Sequence, residues 1–391
     1  MEGEERPGSA GPPVWIEIDA AAYRHNLRAL QRVLRPGSRR MAVVKANAYG
    51  HGARRIAALA VAEGVDYLGV HSLDEHREIA DLTAGVPVCL LGPTLPEEAE
   101  AVVAAAAEPT VSELQVARAL AEAAREQRRR VAIHVKVETG THRLGILLEE
   151  IPAWCELLRA YPEVEFRGLH THYANIEDTT DHTFARRQLA LLREAAQRFA
   201  AGGRAPEMVH SACSAAAIVM DQTHGDLARL GIASYGLWPS RETYLSTLLS
   251  QRMGPELIPV LTWKTRIAQL KEVPAGEYVG YGCGFRTTHA MRLAVLPVGY
   301  YDGYDRRLSG RGYVLVGGKR APIVGRVCMN MTMADLSDVP DVRLGDEVIL
   351  IGRSGGESVT ADTLATLCGT INYEIVARLG HHLPRIVRGG E

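Results

Sequence analysis

Between residues 40 and 235 the chain repeats one pattern, a short apolar run followed by a longer amphipathic stretch. The runs are Ala42 to Lys45, Asp66 to Val70, Val86 to Leu91, Pro109 to Val111, Val131 to Val137, Phe166 to Thr171, Glu207 to His210 and Arg229 to Ala233. Stretches between them, such as SELQVARALAEAAREQ, place apolar residues at i, i+3 and i+4, as a helix with one buried face requires. About eight such β/α units are what closes a parallel barrel of roughly 250 residues. The competing arrangement, an open doubly wound sheet, normally has a Gly-rich turn after its first strand, and none is present.

Past residue 245 the helical periodicity fades. Val/Ile/Leu runs recur between turn signals, as in PVLTWKTRIAQLKEV, RLAVLPVGY and GDEVILIG, and VLVGGKRAPIVG reads as a hairpin turning at Gly317-Gly318. The fold class expected is therefore α/β plus β: an N-terminal (β/α)8 TIM-type barrel over 14–245 and a C-terminal, mainly antiparallel β domain over 246–391. Residues 1–13, acidic and rich in Gly and Pro without an apolar core, read as a disordered leader. The strand-like run Trp15 to Asp19 can pair with either sheet.

Composition narrows the partners. A formal net charge of -2 offers no footprint for nucleic acid or an anionic membrane, and no segment reaches the roughly 20 apolar residues of a membrane span. Six cysteines without CxxC or Cys/His spacing point away from a metal site or a disulfide framework. A small-molecule substrate and a cytoplasmic location are the expectation.

If a barrel forms, chemistry belongs at the C-terminal ends of its strands. Lys45 and Tyr49 follow the first run, and a charge ending a run buried on both faces belongs at a strand mouth. The fifth run carries Lys136 with Arg143 just beyond it. His172 ends the sixth, and Ser214 follows the seventh, where a hydroxyl beside free N–H groups makes an anion site. The eighth has Arg229, then Gly231 and Ile232, whose backbone N–H groups can receive a phosphate. Each residue has a plainer reading by itself: a lysine paired with a carboxylate, a packed Tyr49, a structural His172, a helix-capping Ser214. Their shared position at strand ends favours a site.

The segments VVKANAYGHG, KVETGTHRLG, HSACSAA, ARLGIASYGL, YVGYGCGF, LPVGYYDGY, VGRVCMNM and GTINYEI occur in the order found in alanine racemases, and the chain resembles that family over almost its whole length. The resemblance implies a barrel-plus-β-domain enzyme that interconverts L- and D-alanine, supplies D-alanine for peptidoglycan and uses pyridoxal 5′-phosphate. It implies that Lys45 carries the cofactor, that Tyr281 is the second catalytic residue, and that a homodimer brings Tyr281 of the partner subunit to each site. It assigns phosphate contacts to Tyr49, Ser214, Gly231, Ile232 and Tyr373. Arg229 is set against the pyridine nitrogen with His172 linked to it, and Arg143 beside the cofactor's phenolic oxygen and the substrate carboxylate. Met329 N–H then binds that carboxylate, Tyr300 gates the entrance, and Lys136 matches a lysine that is often carbamylated, the alternative being a plain Lys136–Glu138 pair. No metal is implied.

Racemisation needs a base on each face of the substrate's Cα, which is the reason for a lysine and a tyrosine. A phenol of ordinary pKa near 10 is a poor base unaided. A guanidinium, which keeps its proton, leaves the ring nitrogen unprotonated and favours return of the proton to carbon over transamination. The chain departs from the family at Asn330, usually Asp; at Thr141-His142, usually Met-Gly; at Cys213, commonly Asn; and in a longer leader. None touches Lys45, Tyr281 or Arg229, but an altered entrance leaves open a racemase of another small amino acid such as serine. A decarboxylase of the same fold and a non-catalytic pyridoxal-phosphate-binding protein are the rival functions.

Overall fold

The computed structural model describes residues 11–178, 180–249 and 254–389; most of the expected leader lies outside them. The chain divides into two units, one of Ala20–Val260 and one in which the N-terminal segment ending at Asp19 joins Leu261 onward. Strand β1 (Val14–Asp19) belongs to the latter.

The larger unit holds β2 (Arg39–Val43), β3 (Tyr67–Val70), β4 (Val88–Leu90), β5 (Glu108–Val111), β6 (Val131–Lys136), β7 (Val164–His170), β8 (Met208–His210) and β9 (Leu227–Leu230). They form one parallel sheet in the order β8-β7-β6-β5-β4-β3-β2-β9. The seam between β8 and β9 has no regular ladder, but Asp226 N–H donates to Val209 O at 3.0 Å and Arg229 N–H to Ala212 O at 2.9 Å. Helices follow the strands and bury one stripe each. In Leu114–Glu126 the buried residues are Val116, Ala117, Leu120, Ala121, Ala123 and Ala124. Alternation along the strands turns Met41, Val43, Tyr67, Cys89, Met208 and Leu227 into one apolar cluster.

Two expectations move. The eighth run is a strand only as far as Leu230, because Ile232–Tyr235 coils into a 3-10 turn with Ser234 Oγ donating to Gly231 O. Residues 246–249 and 254–260, expected with the β domain, fall in the barrel unit. Asn26 holds them there: its Nδ2 donates to Ile258 O and its Oδ1 accepts from Ile258 N–H, both at 2.8 Å, while Val260 N–H donates to Tyr235 O at 3.1 Å.

The second unit adds β10 (Leu261–Arg266), β11 (Gln269–Val273), β12 (Tyr278–Val279), β13 (Phe285–Arg286), β14 (Met291–Leu296), β15 (Tyr313–Val316), β16 (Lys319–Val324), β17 (Thr332–Asp335), β18 (Glu347–Ser354), β19 (Glu357–Val359) and β20 (Arg385–Arg388). Its main sheet runs β11-β14-β17-β16-β15-β18-β10-β1-β20 and is antiparallel except for the β1–β20 pair. The run Trp15 to Asp19 thus pairs in the C-terminal sheet. The hairpin turns at Gly317 and Gly318, whose φ angles of 55° and 80° are those of a two-residue primed turn. A separate ribbon of β12 and β13 is anchored at its base, where Val279 and Phe285 pack with Met291, Leu293 and Val324.

Candidate active site

Lys45 opens a turn in which Ala46, Asn47, Ala48 and Tyr49 all have φ of 52–53°. Left-handed backbone costs a residue with a Cβ about 1–2 kcal/mol, so the turn must be held by its contacts. Glu75 ties it to the segment after β3, its Oε1 accepting from Ala46 N–H at 2.8 Å and its Oε2 from His71 N–H at 2.6 Å. Asn47 Oδ1 accepts from Ala53 N–H at 2.8 Å, tying the turn to the helix Ala53–Ala62. Burial lowers the Lys45 amine below its ordinary pKa; Arg143 and Arg229 lower it further, against the opposing pull of Glu75. A depressed amine is a better nucleophile and base at neutral pH.

Beside it lies a cradle of small groups. Ser214 Oγ accepts from Gly231 N–H at 2.9 Å and Ala233 N–H at 3.4 Å, which joins the segments after β8 and β9. A Cβ on Gly231 would stand 2.6 Å from the Tyr49 hydroxyl, so this position needs glycine. The Tyr49 ring is fixed in turn against Tyr235, with centroids 5.1 Å apart. A hydroxyl, a phenol and backbone N–H groups at such close quarters suit a phosphate.

Arg229 is buried and spends four N–H groups on the protein. Nη1 donates to His210 Nδ1 at 2.9 Å and His210 O at 3.2 Å, and Nη2 to Thr171 O at 2.7 Å and Ser211 O at 3.0 Å. Its Nε–H takes none of these acceptors and can serve a ring nitrogen. The imidazole bound to Arg229 is therefore His210 and not His172, because β8 and β9 meet at the seam while His172 lies past the end of β7. Burial, then the cations of Arg229, Arg143, Lys136 and Lys45, push His172 down to about 3.

Lys136 is buried, and burial followed by Arg143 and Arg229 pushes it down to about 8. The alternative Lys136–Glu138 pair is not formed. Glu138 instead caps its own loop, its Oε1 accepting from the N–H groups of Gly140 and Thr141, and its Oε2 from Arg143 N–H at 3.2 Å.

The remaining expected residues lie in the β unit. Tyr281, 72% exposed, stands at the tip of the β12–β13 ribbon between Gly280 and Gly282, both with φ of 76°. Arg326 closes on that tip, so that a Cβ on Gly282 would stand 2.7 Å from its Nη1. Tyr300 and Met329 are exposed neighbours: Tyr300 N–H donates to Cys328 O and Tyr301 N–H to Met329 O, both at 3.0 Å. Tyr373 is on the helix Asn372–Ala377.

Sequence reasoning passed over Glu75, Glu108, His134 and His210. The available signal was parity: His134 alternates with Lys136 on β6, so a residue read as strand filler shares the face of a site lysine. No group of three or more His, Cys, Asp or Glu side chains among the described residues could hold a metal ion.

Two family models match, "Alanine racemase, N-terminal domain" over residues 18–239 and "Alanine racemase, C-terminal domain" over 260–387. An alanine racemase of Desulfovibrio desulfuricans is 40% identical over 374 residues, covering 96% of this chain and 98% of the relative. Among solved structures, an alanine racemase of Clostridium difficile 630 superposes with a TM-score of 0.90 at 30% identity over 97% of each chain. That of Bartonella henselae, described with covalently bound pyridoxal phosphate, gives 0.84 at 26% identity over 97% of this chain and 100% of that one. With matching models over both units and relatives aligned nearly end to end, this chain belongs to the alanine racemases, the enzymes that interconvert L- and D-alanine.

Proposed function

We propose that the chain racemises alanine with pyridoxal 5′-phosphate held on Lys45, using Lys45 and Tyr281 as bases on opposite faces of the substrate. The carrying observation is the depressed Lys45 amine on a strained turn whose Tyr49 hydroxyl packs against Gly231, where the Gly231 N–H meets Ser214 Oγ. When bound, the cofactor supplies the electron sink that makes an amino acid's Cα–H acidic enough to break at neutral pH. Tyr49, Ser214, Gly231, Ile232 and Tyr373 would hold its phosphate. Arg229 would face the ring nitrogen through Nε–H, and since guanidinium does not release its proton, that nitrogen would stay unprotonated. Arg143 lies beside the phenolic oxygen, and His172, kept neutral, lines the site with it. Lys45 Nζ takes or returns the proton on one face and the Tyr281 hydroxyl on the other. Met329 N–H and Arg143 bind the substrate carboxylate, and Tyr300 narrows the entrance.

A tyrosine as exposed as Tyr281, in a unit that also exposes Tyr278, Tyr300, Tyr301, Met329 and Met331, favours a homodimer in which Tyr281 of the partner subunit completes each site. Lys136, pushed down to about 8 and paired with no carboxylate, suits carbamylation, which converts a neutral amine into an anion between cations. A cytoplasmic enzyme supplying D-alanine for peptidoglycan is the biological reading; no described helix is long and apolar enough to cross a membrane.

The test is incubation of pyridoxal-phosphate-loaded protein with L-alanine in D2O, with NMR of the α-proton and chiral chromatography. Deuterated D-alanine is expected. Lys45→Ala should lose the cofactor's visible band, and Tyr281→Phe should keep it while losing most exchange on one face. Racemisation by Tyr281→Phe unchanged from the wild type in both directions would sink the two-base assignment. A preference for serine would trace to Asn330, Cys213 or Thr141-His142.

A further inference from the structure

Parallel barrels fill their interior with layers of branched apolar side chains. Here one column is polar and runs through it from Glu108 on β5, through His134 on β6 and His210 on β8, to Arg229 on β9. Glu108 Oε2 lies 2.9 Å from His134 Nε2, His134 Nδ1 lies 3.1 Å from His210 Nε2, and His210 Nδ1 lies 2.9 Å from Arg229 Nη1. Neither end has a choice of role, because a guanidinium only donates and a carboxylate only accepts. His210 Nδ1 must then accept, which leaves the His210 proton on Nε2. His134 Nδ1 must accept that proton, which leaves the His134 proton on Nε2, facing the carboxylate. Every bond in the column is satisfied with both imidazoles neutral and every donor pointing from Arg229 towards Glu108.

The fold makes room for this column. A Cβ on Gly168, beside His134 on the next strand, would stand 2.1 Å from His134 Nδ1, the atom that accepts from His210. The β6–β7 register also shifts between Ile133 and His134. His170 stacks on His210 with centroids 4.8 Å apart and planes 6° apart, and its own Nε2 lies 3.3 Å from Thr110 Oγ1. Arg167, with Nε 3.8 Å from Glu108 Oε1, keeps the far end an ion pair. Burial pushes His210 well below its ordinary range, in keeping with a neutral ring.

We propose that Glu108 is a positioning residue for Arg229, acting through His134 and His210 to fix the direction of the column, so that Arg229 is committed by Nη1 and presents Nε–H to the cofactor. The functional half rests on the reading above that Arg229 meets the ring nitrogen. A buried carboxylate in contact with neither cofactor nor substrate thereby shapes the cofactor's environment.

The test uses full-length protein labelled with 15N-histidine. In the cofactor-free wild type, long-range 1H–15N correlation at neutral pH should show His134 and His210 neutral and protonated on Nε2. An Nδ1–H tautomer or a doubly protonated ring at either position overturns the proposal without recourse to any variant. Glu108→Met, close in length but without the acceptor, leaves His134 Nε2–H without its partner, so the Nδ1–H form competes and the single tautomer of both rings should become a mixture, whereas Glu108→Gln, which keeps an acceptor oxygen, should restore it. Loaded with pyridoxal phosphate, Glu108→Met should shift the visible band and lower kcat about tenfold, as expected for one positioning hydrogen bond, with KM for alanine within about twofold. Unchanged tautomers in Glu108→Met overturn the role of Glu108. Mixed tautomers with an unchanged band and kcat would instead overturn the placement of Arg229 at the ring.

Discussion

At Gly231 the Tyr49 hydroxyl occupies the space that a side chain would need. Gly231→Ala must either push that phenol aside or shift the backbone whose N–H joins Ser214. The expected result is a folded protein whose affinity for pyridoxal phosphate falls at least about tenfold, since one displaced hydrogen-bonding group in a phosphate site is worth about 1.5–3 kcal/mol. Titration of the visible band against added cofactor measures it, and wild-type affinity would show that the cradle lies elsewhere. Lys45 and Ser214 drew notice because a charge or hydroxyl after an apolar run is conspicuous, and Arg229 because a charge opens one. Glu108, His134 and His210 were not, because their significance lies in hydrogen bonds between strands distant in sequence.

Among the elements, the loop after β6 is held by one carboxylate. Burial raises the Glu138 pKa, but the backbone N–H groups of Gly140, His142, Arg143 and Thr141 outweigh it and leave the group below its ordinary 4.5. A carboxyl depressed by folding stabilises above its unfolded pKa, and that contribution is lost as pH falls through the lower folded value. Order in the 139–143 loop should therefore persist at pH 5 and decline at pH values well below 4.5. Amide exchange at Gly140 and Arg143 reads this, and Glu138→Gln should show the looser loop already at pH 7. The ribbon tip makes the complementary case. Gly282→Ala places a methyl 2.7 Å from Arg326 Nη1 at a φ of 76°, and should lower racemisation more than tenfold while the cofactor band is unchanged. Loss of the band with the activity would argue against a role confined to Tyr281. The ribbon's apolar base is readable in sequence, whereas the dependence of its tip on Arg326 is not.

For the whole molecule, burying a lysine amine has a pH signature. Lys136 stands near 8 in the folded chain against an ordinary 10.5, so between those values the unfolded state binds more protons and stability rises with pH. In cofactor-free, bicarbonate-free protein, the wild type should gain stability against denaturant relative to Lys136→Met as pH rises from 8 to 10. A flat difference would mean that the amine is solvated, and bicarbonate should raise wild-type stability at pH 7.5 if the lysine is carbamylated. Dilution makes a second test, because activity that needs Tyr281 of the partner subunit must fall with protein concentration below the dimer dissociation constant.

The sequence by itself determined the class and count of the barrel strands, the change to antiparallel strands after it, the hairpin at Gly317-Gly318 and the family. Each is written in local periodicity, turn chemistry or ordered motifs, which need no knowledge of which segments meet. Tertiary structure alone decided that Trp15 to Asp19 pairs with β10 and β20, that 254–260 stays with the barrel, that Lys45 rides a left-handed turn and that Arg229 is bound by His210. The reason is common to all four. A hydrogen bond or a strained φ is fixed by partners brought together only when the chain closes, and neither spacing nor hydrophobic period records which partners those are.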